Sequence, residues 1–219
     1  FGDWCRVMDE ARSIGCRNLQ FIGGEPTIHP DLFKLIEHAK HVGFKYIEVF
    51  TNATLLKEDA IESFKRLGVR VALSLYSSDR EAHDQITRRG GSFDKTVDAT
   101  RRLVEHKVPF RVGVIQMEQN AKHFGKTKKF LKRLGATHIA KDDVRGIGRG
   151  EHFLPNDHPM DQLCGHCWSG KLCIDPNGNA YPCVFSRFAP VGNCLMDGIK
   201  DILEGQKLHA FRRAAYLGE

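Results

Sequence analysis

Leu19-Gln20-Phe21-Ile22-Gly23-Gly24-Glu25-Pro26-Thr27 joins a short apolar run to a turn carrying two glycines and one carboxylate. The run reads as a β-strand. After it, residues 31–42 place Leu32, Leu35, Ile36, Ala39 and Val42 at the 3.6-residue spacing of a helix lying on a sheet. The same unit recurs. Apolar stripes at Ala60, Ile61, Phe64 and Leu67 and at Phe124, Thr127, Leu131 and Leu134 alternate with short apolar runs at residues 46–50, 69–75, 110–115 and 138–140. Continuous apolar runs of this length predict strands buried on both faces. Gly15, Gly43, Gly68 and Gly135 stand where helices should stop, shortly before a strand.

Repeated βα units imply a parallel sheet with right-handed crossovers, closed into a barrel or left open. In either form the chemistry gathers at the C-terminal ends of the strands. The informative positions are then residues 23–27, 51–54, 74–79, 116–120 and 141–149. The alternation opens on a helix, residues 3–13, so a barrel read this way lacks its first strand and first loop. A segment preceding Phe1 is therefore expected.

Composition narrows the class. Among the 219 residues, 41% hydrophobic and 27% charged residues are the proportions of a globular protein rather than a disordered or membrane chain. No apolar stretch reaches the roughly 20 residues of a membrane span, and no N-terminal segment resembles a secretory signal. A cytoplasmic, reducing setting and no membrane partner are expected. The net charge is +6, yet the basic residues are spread along helices without interleaved aromatics. The densest run, residues 126–133, reads as the solvated face of an amphipathic helix, so nucleic acid is not an expected partner.

Beyond Asp142 the periodicity stops, and Arg145-Gly146-Ile147-Gly148-Arg149-Gly150 with Pro155 and Pro159 reads as a linker. Five of the seven cysteines follow it, Cys164, Cys167, Cys173, Cys183 and Cys194, spaced C-x2-C-x5-C-x9-C-x10-C. In a reducing compartment such a cluster points to metal rather than disulfides. Asp175-Pro176-Asn177-Gly178 predicts a type I turn with a bulge. If Asp175 pairs with Asn179, Cys173 faces Tyr181 and is the diagonal neighbour of Cys183, about 7 to 8 Å away between Cα atoms. Zinc is the rival ligand, but a zinc ribbon wants two C-x2-C knuckles and only Cys164-x2-Cys167 is present. A short helix is expected over residues 201–216.

Ile22-Gly23-Gly24-Glu25-Pro26-Thr27 followed by His29-Pro30-Asp31-Leu32 resembles the S-adenosylmethionine-binding turn of the radical S-adenosylmethionine superfamily. Thr51-Asn52-Ala53, Leu73-Ser74-Leu75, and His83-Asp84-Gln85-Ile86-Thr87 running into Gly91-Ser92-Phe93 agree with it in order, across almost the whole chain. The resemblance implies an α/β fold, a partial (β/α)6 TIM-like barrel without its first strand and cluster loop. It implies a cofactor site at Gly23, Gly24, Glu25, Pro26, Thr51, Asn52 and Ser74. Gly24 and Glu25 would meet the amino group of S-adenosylmethionine, Thr51 and Asn52 its ribose and carboxylate, and Ser74 its carboxylate. Arg88 or Arg89 would offer a further partner for that carboxylate, against the alternative of ordinary surface arginines.

The family's C-x3-C-x2-C motif, which holds the radical [4Fe-4S] cluster, is absent, and Cys5 and Cys16 lie too far apart to replace it. The ligands of that cluster are expected outside this chain. Cys167, Gly178 and Cys183 resemble the start of a SPASM extension, which carries auxiliary [4Fe-4S] clusters. The ligand set is then Cys167, Cys173 and Cys183 with a later thiolate, or Cys164, Cys167 and Cys183, and Cys194 can complete either. The division implied is a barrel over residues 1–150 and an iron-sulfur extension over residues 151–219.

The activity implied is formation of a 5'-deoxyadenosyl radical that abstracts hydrogen from a ribosomally made precursor peptide, with ferredoxin or flavodoxin as reductant. No catalytic side chain is assigned. A small-molecule enzyme of cofactor biosynthesis and a non-catalytic metal-binding scaffold of the same fold are the alternatives.

Overall fold

The computed structural model describes every residue except 155–157, 167–168 and 218–219. The chain packs as two units, Cys16–Val144 together with Phe1, and Gly2–Gly15 together with Arg145–Glu219. This grouping differs from the sequence division at residue 150 in one main respect: the first helix, α1 (Gly2–Ser13), packs in the second unit.

The first unit holds a five-stranded parallel sheet of β1 (Asn18–Phe21), β2 (Tyr46–Thr51), β3 (Arg70–Ser74), β4 (Phe110–Gln116) and β5 (His138–Asp143), in sequential spatial order. Helices α2 (Leu32–His41), α3 (Glu58–Leu67), α4 (Arg80–Thr87), α5 (Ser92–Glu105) and α6 (Phe124–Arg133) connect them. With no reversal of order, right-handed crossovers all run the same way, so the sheet is an arc of a barrel rather than a doubly wound sheet. Five strands are what the partial (β/α)6 reading leaves once its first strand is set aside.

Along β2 to β4, Ile47, Val49, Val71, Leu73, Val112 and Val114 are buried, as are Ile36, Ile61, Phe64, Leu103 and Leu131 on the helices. The expected burial on both faces holds for these three central strands. The edge strands β1 and β5 are half-exposed or exposed along their length, because each lacks a second neighbour in the sheet. Gly68 ends α3 in the left-handed conformation, φ 62°, with its N–H on the Lys65 and Phe64 carbonyls; Gly15, Gly43 and Gly135 also have positive φ.

Two helices, α4 and α5, occupy the stretch between β3 and β4, for which no apolar stripe was named. Polar capping defines them. Asp79 Oδ1 accepts from Ala82 N at 2.9 Å to start α4. Asp84, inside α4, reaches forward to cap α5, accepting from Gly91 N (2.6 Å), Phe93 N (2.8 Å) and Ser92 Oγ (2.8 Å).

In the second unit β6 (Cys173–Ile174) and β7 (Asn179–Tyr181) form an antiparallel hairpin, and β8 (Gly192–Asn193) adds to β7. The helix expected over residues 201–216 is two helices, α7 (Ile199–Glu204) and α8 (Gln206–Leu217), broken at Gly205, whose ψ of 149° is extended. Val7, Ala180, Val191, Cys194, Ile199, Ile202 and Leu208 make one apolar core, with Ala11, Leu172, Ile174 and Leu203 around it. Arg6 and Glu10 fasten α1 there: Arg6 Nη2 donates to Cys194 O at 2.6 Å, and Glu10 Oε2 accepts from Ile199 N at 3.1 Å. Among the described residues no helix is long and apolar enough to cross a membrane.

Candidate functional site

The C-terminal rim of the parallel sheet carries Glu25, Thr51, Asn52 and Ser74. Glu25 opens the 3-10 turn Pro26–Ile28, in which Pro26 takes the first helical position that a missing N–H suits. Glu25 Oε1 accepts from Thr27 N (3.1 Å), Thr27 Oγ1 (2.6 Å) and Thr51 Oγ1 (2.5 Å), while Oε2 accepts from Asn52 N at 2.7 Å. One carboxylate thus ties the loop after β1 to the loop after β2. A carboxylate has about four acceptor positions, so Oε1 is saturated and Oε2 keeps one with no partner among the described residues.

The chain beside it is open. A Cβ on Gly23 or Gly24 would meet no atom within 4 Å, and Gly23 has φ 149°, a conformation side-chain-bearing residues rarely adopt. Open backbone next to an unfilled carboxylate acceptor is what an ammonium-bearing ligand requires, so these residues fit S-adenosylmethionine. The Thr51 hydroxyl has partners within the chain. Its hydroxyl donates to Glu25 and accepts from Ala53 N at 3.0 Å, and Ala53 is held at φ 61°. Asn52 Oδ1 accepts from Thr54 N (2.9 Å) and Thr54 Oγ1 (2.7 Å), and its carbonyl accepts from Thr96 Oγ1 (3.3 Å). Its Nδ2 donors have no partner among the described residues and are the group free for a ligand.

Ser74 ends β3 and pairs with Gly113 on β4. Ser74 is half-buried, and Ala72, two residues before it on the same face, is fully buried. Arg88 is the left-handed C-cap of α4, φ 54°, and both Arg88 and Arg89 are exposed, in keeping with the surface alternative.

Buried polar side chains brace the remaining rim loops. Asn120 Nδ2 donates to Tyr76 O (2.7 Å) and Ile115 O (2.8 Å), and its Oδ1 accepts from Met117 N (2.9 Å). His83 is buried, its Nδ1 accepts from Tyr76 N at 3.3 Å, and desolvation lowers its pKa to about 4, against a small opposing pull from Asp84.

Sequence reasoning missed the polar layer inside the sheet. Glu48, 3% exposed, takes Arg111 Nε (3.0 Å) and Tyr46 Oη (2.9 Å) on Oε1, and Arg111 Nη2 (2.8 Å) and Gln20 Nε2 (2.5 Å) on Oε2. Burial pushes the Glu48 carboxyl up, but the Arg111 guanidinium together with the hydrogen bonds from Tyr46 and Gln20 more than offsets it, and the carboxyl sits below its ordinary value. A lone charge within each of two apolar strand runs was the available signal.

On the hairpin the expected register is present: Cys173 faces Tyr181, and Asp175 N donates to Asn179 O at 3.0 Å. Asp175 Oδ1 accepts from Asn177 N (2.9 Å) and Asn179 N (3.0 Å), and Oδ2 from Tyr181 Oη (2.9 Å), which fixes the turn. Burial raises the Cys173 thiol pKa; Arg187 opposes this, and the nearby Cys183 adds to it, so the two thiols share one electrostatic neighbourhood. Cys183 Sγ accepts from Phe185 N at 3.4 Å, and Ser186 Oγ bridges the Cys183 N–H (2.9 Å) and carbonyl (3.0 Å).

Paired thiols with an N–H donor on sulfur and a cation nearby fit an iron-sulfur cluster, whose thiolates gain from both. Cys164 is exposed, and Cys167 lies outside the described residues. Cys194 is packed in the apolar core, where burial first and Glu10 second push its thiol up to about 11. Its N–H is bound to Gly178 O at 2.7 Å. Among the described residues no three His, Cys, Asp or Glu side chains are gathered closely enough to hold a metal ion.

The sequence pattern of the Radical SAM superfamily matches residues 3–131, and that of SPASM, an iron-sulfur cluster-binding domain, matches residues 164–218. The AdoMet-dependent heme synthase of Methanosarcina barkeri is 30% identical over 145 residues, 66% of this chain and 41% of that protein. The subtilosin biosynthesis protein AlbA of Bacillus subtilis is 24% identical over 233 residues, 91% of this chain and 52% of that protein. The chain thus spans about half the length of these relatives. Among solved structures, Streptococcus suis SuiB bound to its precursor peptide SuiA superposes with a TM-score of 0.78 at 15% identity, covering 96% of this chain and 59% of that one. At that identity the likeness is one of fold.

Proposed function

The chain belongs to the radical SAM superfamily, and we propose that it is the S-adenosylmethionine-binding core, with an iron-sulfur extension, of an enzyme that modifies a ribosomally made precursor peptide. When bound, S-adenosylmethionine and a reduced [4Fe-4S] cluster supply a 5'-deoxyadenosyl radical that removes hydrogen from a substrate carbon, an electron carrier such as ferredoxin or flavodoxin restoring the reduced state. The observation that carries this reading is the Glu25 junction, with its unfilled Oε2 acceptor beside the open Gly23-Gly24 backbone.

In that reading Glu25 accepts from the cofactor's ammonium group. Gly23 and Gly24 let the backbone approach it, Asn52 Nδ2 donates to an oxygen of the cofactor, and Ser74 Oγ reaches its carboxylate. Thr51 and Pro26 act on position: Thr51 holds the Glu25 carboxylate, and Pro26 starts the turn that presents it. Cys173 and Cys183 are proposed as ligands of an auxiliary [4Fe-4S] cluster, with Cys164 and Cys167 completing it. Cys194 is left to the apolar core.

AlbA is named for bacteriocin biosynthesis and SuiB was solved with a precursor peptide, and both support a peptide substrate. A second reading, a small-molecule enzyme of the heme pathway, is favoured by the identity to the Methanosarcina protein. The test is reductive assay of the full-length protein that carries the radical-cluster ligands, reconstituted with iron and sulfide. Release of 5'-deoxyadenosine and a mass change in a peptide encoded beside this gene support the first reading. Release of 5'-deoxyadenosine with turnover of a tetrapyrrole and no change in any such peptide supports the second. A preparation of verified iron content that releases no 5'-deoxyadenosine sinks both.

A further inference from the structure

Helix α6 reads Phe-Gly-Lys-Thr-Lys-Lys-Phe-Leu-Lys-Arg, five cations and no acid in ten residues. The whole chain carries a net charge of +6, so this helix alone accounts for five of those six charges. Lys126, Lys128, Lys129, Lys132 and Arg133 are all exposed, and among the described residues none has a carboxylate within ion-pairing distance. The neighbouring helices differ. Lys34 meets Asp31, Arg66 meets Glu37, Arg80 meets Asp94 and Arg102 meets Asp98. A solvated helix face ordinarily mixes charges of both signs; α6 leaves its charge unneutralised.

That charge lines a groove of about 580 Å³ formed by Ser78, Lys126, Lys129, Phe130, Lys132 and Arg133. The groove is preformed. Ser78 N donates to Thr127 Oγ1 at 2.9 Å, fixing α6 to the loop after β3, and Phe130 stacks on Phe93 with ring centroids 5.9 Å apart. Phe130 is half-buried and so offers an apolar floor to one side chain, while its contact with Phe93 keeps it from stacking between nucleobases, the use that single-stranded nucleic acid makes of aromatics. The groove is shallow and open to solvent along the helix, so its cations can be reached by an extended chain.

We propose that this groove binds an acidic segment of the enzyme's peptide substrate, carboxylates on Lys126, Lys129, Lys132 and Arg133 and one apolar side chain on Phe130. The proposal rests on the peptide reading above and adds to it where the substrate is held and what chemistry that segment has.

The test is fluorescence anisotropy of the protein with a labelled peptide of alternating Glu and Leu, alongside the same peptide with Gln for Glu, and with oligouridylate as competitor. The acidic peptide should bind, with affinity falling by about tenfold between low and physiological salt. Lys126→Glu with Lys129→Glu should weaken it on the order of 100-fold, since like charges then face the peptide. Lys126→Gln with Lys129→Gln should weaken it less. Both variants change exposed side chains, and thermal melting should show the fold intact. Equal binding of the Gln peptide, unaltered binding by the charge-reversed protein, or displacement by oligouridylate at lower concentration than by unlabelled acidic peptide each overturns the proposal. The assay involves no turnover, so its failure is separable from that of the peptide reading: a peptide modified equally well by the charge-reversed enzyme removes the groove alone.

Discussion

At the rim of the parallel sheet Glu25 takes four hydrogen bonds from residues of two loops, whereas on the hairpin Cys183 Sγ takes one, from Phe185, and Cys173 feels the charges of Arg187, Cys183 and Asp175. The rim is satisfied without a ligand and leaves a small, defined remainder for one. The hairpin brings two thiols together by turn geometry and leaves their chemistry open. The first is preorganised in the sense that catalytic electrostatics require, and the second resembles metal sites whose binding energy is also folding energy.

This contrast makes the largest effect a property of the hairpin. Replacing Cys173 and Cys183 together by Ser should abolish the iron and sulfide of the auxiliary site and expose residues 145–219 to protease, because binding at a site not preformed in the unfolded chain contributes directly to folding. Iron and sulfide assay with limited proteolysis measures it. Unchanged iron and protection would mean that the hairpin unit is as self-sufficient as the rim. Zinc in place of iron in the parent protein would give a colourless preparation and correct the cluster assignment.

On the rim the expected loss is in function before stability. Glu25→Ala leaves the donors of Thr27, Thr51 and Asn52 without their acceptor at a half-buried site. The rate of 5'-deoxyadenosine release should fall by at least about 100-fold, the usual scale for removing one preorganised electrostatic partner. The cost in stability should stay near 2 kcal/mol. A loss of stability with unchanged release would make Glu25 a brace and nothing more.

Deeper in the same sheet, Glu48→Gln tests whether the interior polar layer is structural. Breaking a buried pair costs about 3 to 5 kcal/mol, but Arg111 keeps 37% of its side-chain exposure and water screens what remains, so about 2 kcal/mol is expected by urea denaturation. S-adenosylmethionine affinity should not change. A change in affinity without a change in stability would extend the cofactor site down the sheet.

These three sites were unequally legible in the amino-acid order. The hairpin register could be derived because everything that sets it lies between Cys173 and Cys183: Asp175 caps its own turn and Gly178 takes φ 82°. Glu25 was visible as a carboxylate in a glycine turn, but its bond to Thr51 spans 26 residues and depends on which strands are neighbours. The Glu48–Arg111 pair spans 63 residues and crosses β3, so only the sheet order reveals it. Cys194 was indistinguishable by spacing from its ligand candidates. The apolar core in which it lies is assembled from α1, the hairpin and α7, at opposite ends of the chain. Helix α4 escaped notice because capping by Asp79, rather than a regular apolar stripe, marks where it starts, and the stripe of α5, Phe93, Val97 and Leu103, is interrupted by the buried Thr96 and Thr100.

The smallest effect expected is a pH dependence carried by His83 behind the rim. His83 is 1% exposed, its Nδ1 is committed to Tyr76 N, and its ring lies 5.7 Å from those of Tyr76 and Phe93. The native state therefore holds it neutral down to about pH 4, while the unfolded chain protonates it at about 6.5. Between those values the unfolded state binds the extra proton, so stability is full above pH 6.5 and falls as pH is lowered toward 4. One unit below the unfolded value, at about pH 5.5, the loss should be about 1.4 kcal/mol. His83→Asn should be less stable at pH 8, where the imidazole's packing and its bond to Tyr76 N are lost, but flatter over this window. Denaturation at several pH values separates the two. A parent slope as flat as the variant's would mean that the native ring is protonated with water beside it, and the packing of His83 on Tyr76 and Phe93 would then be less dry than its burial indicates.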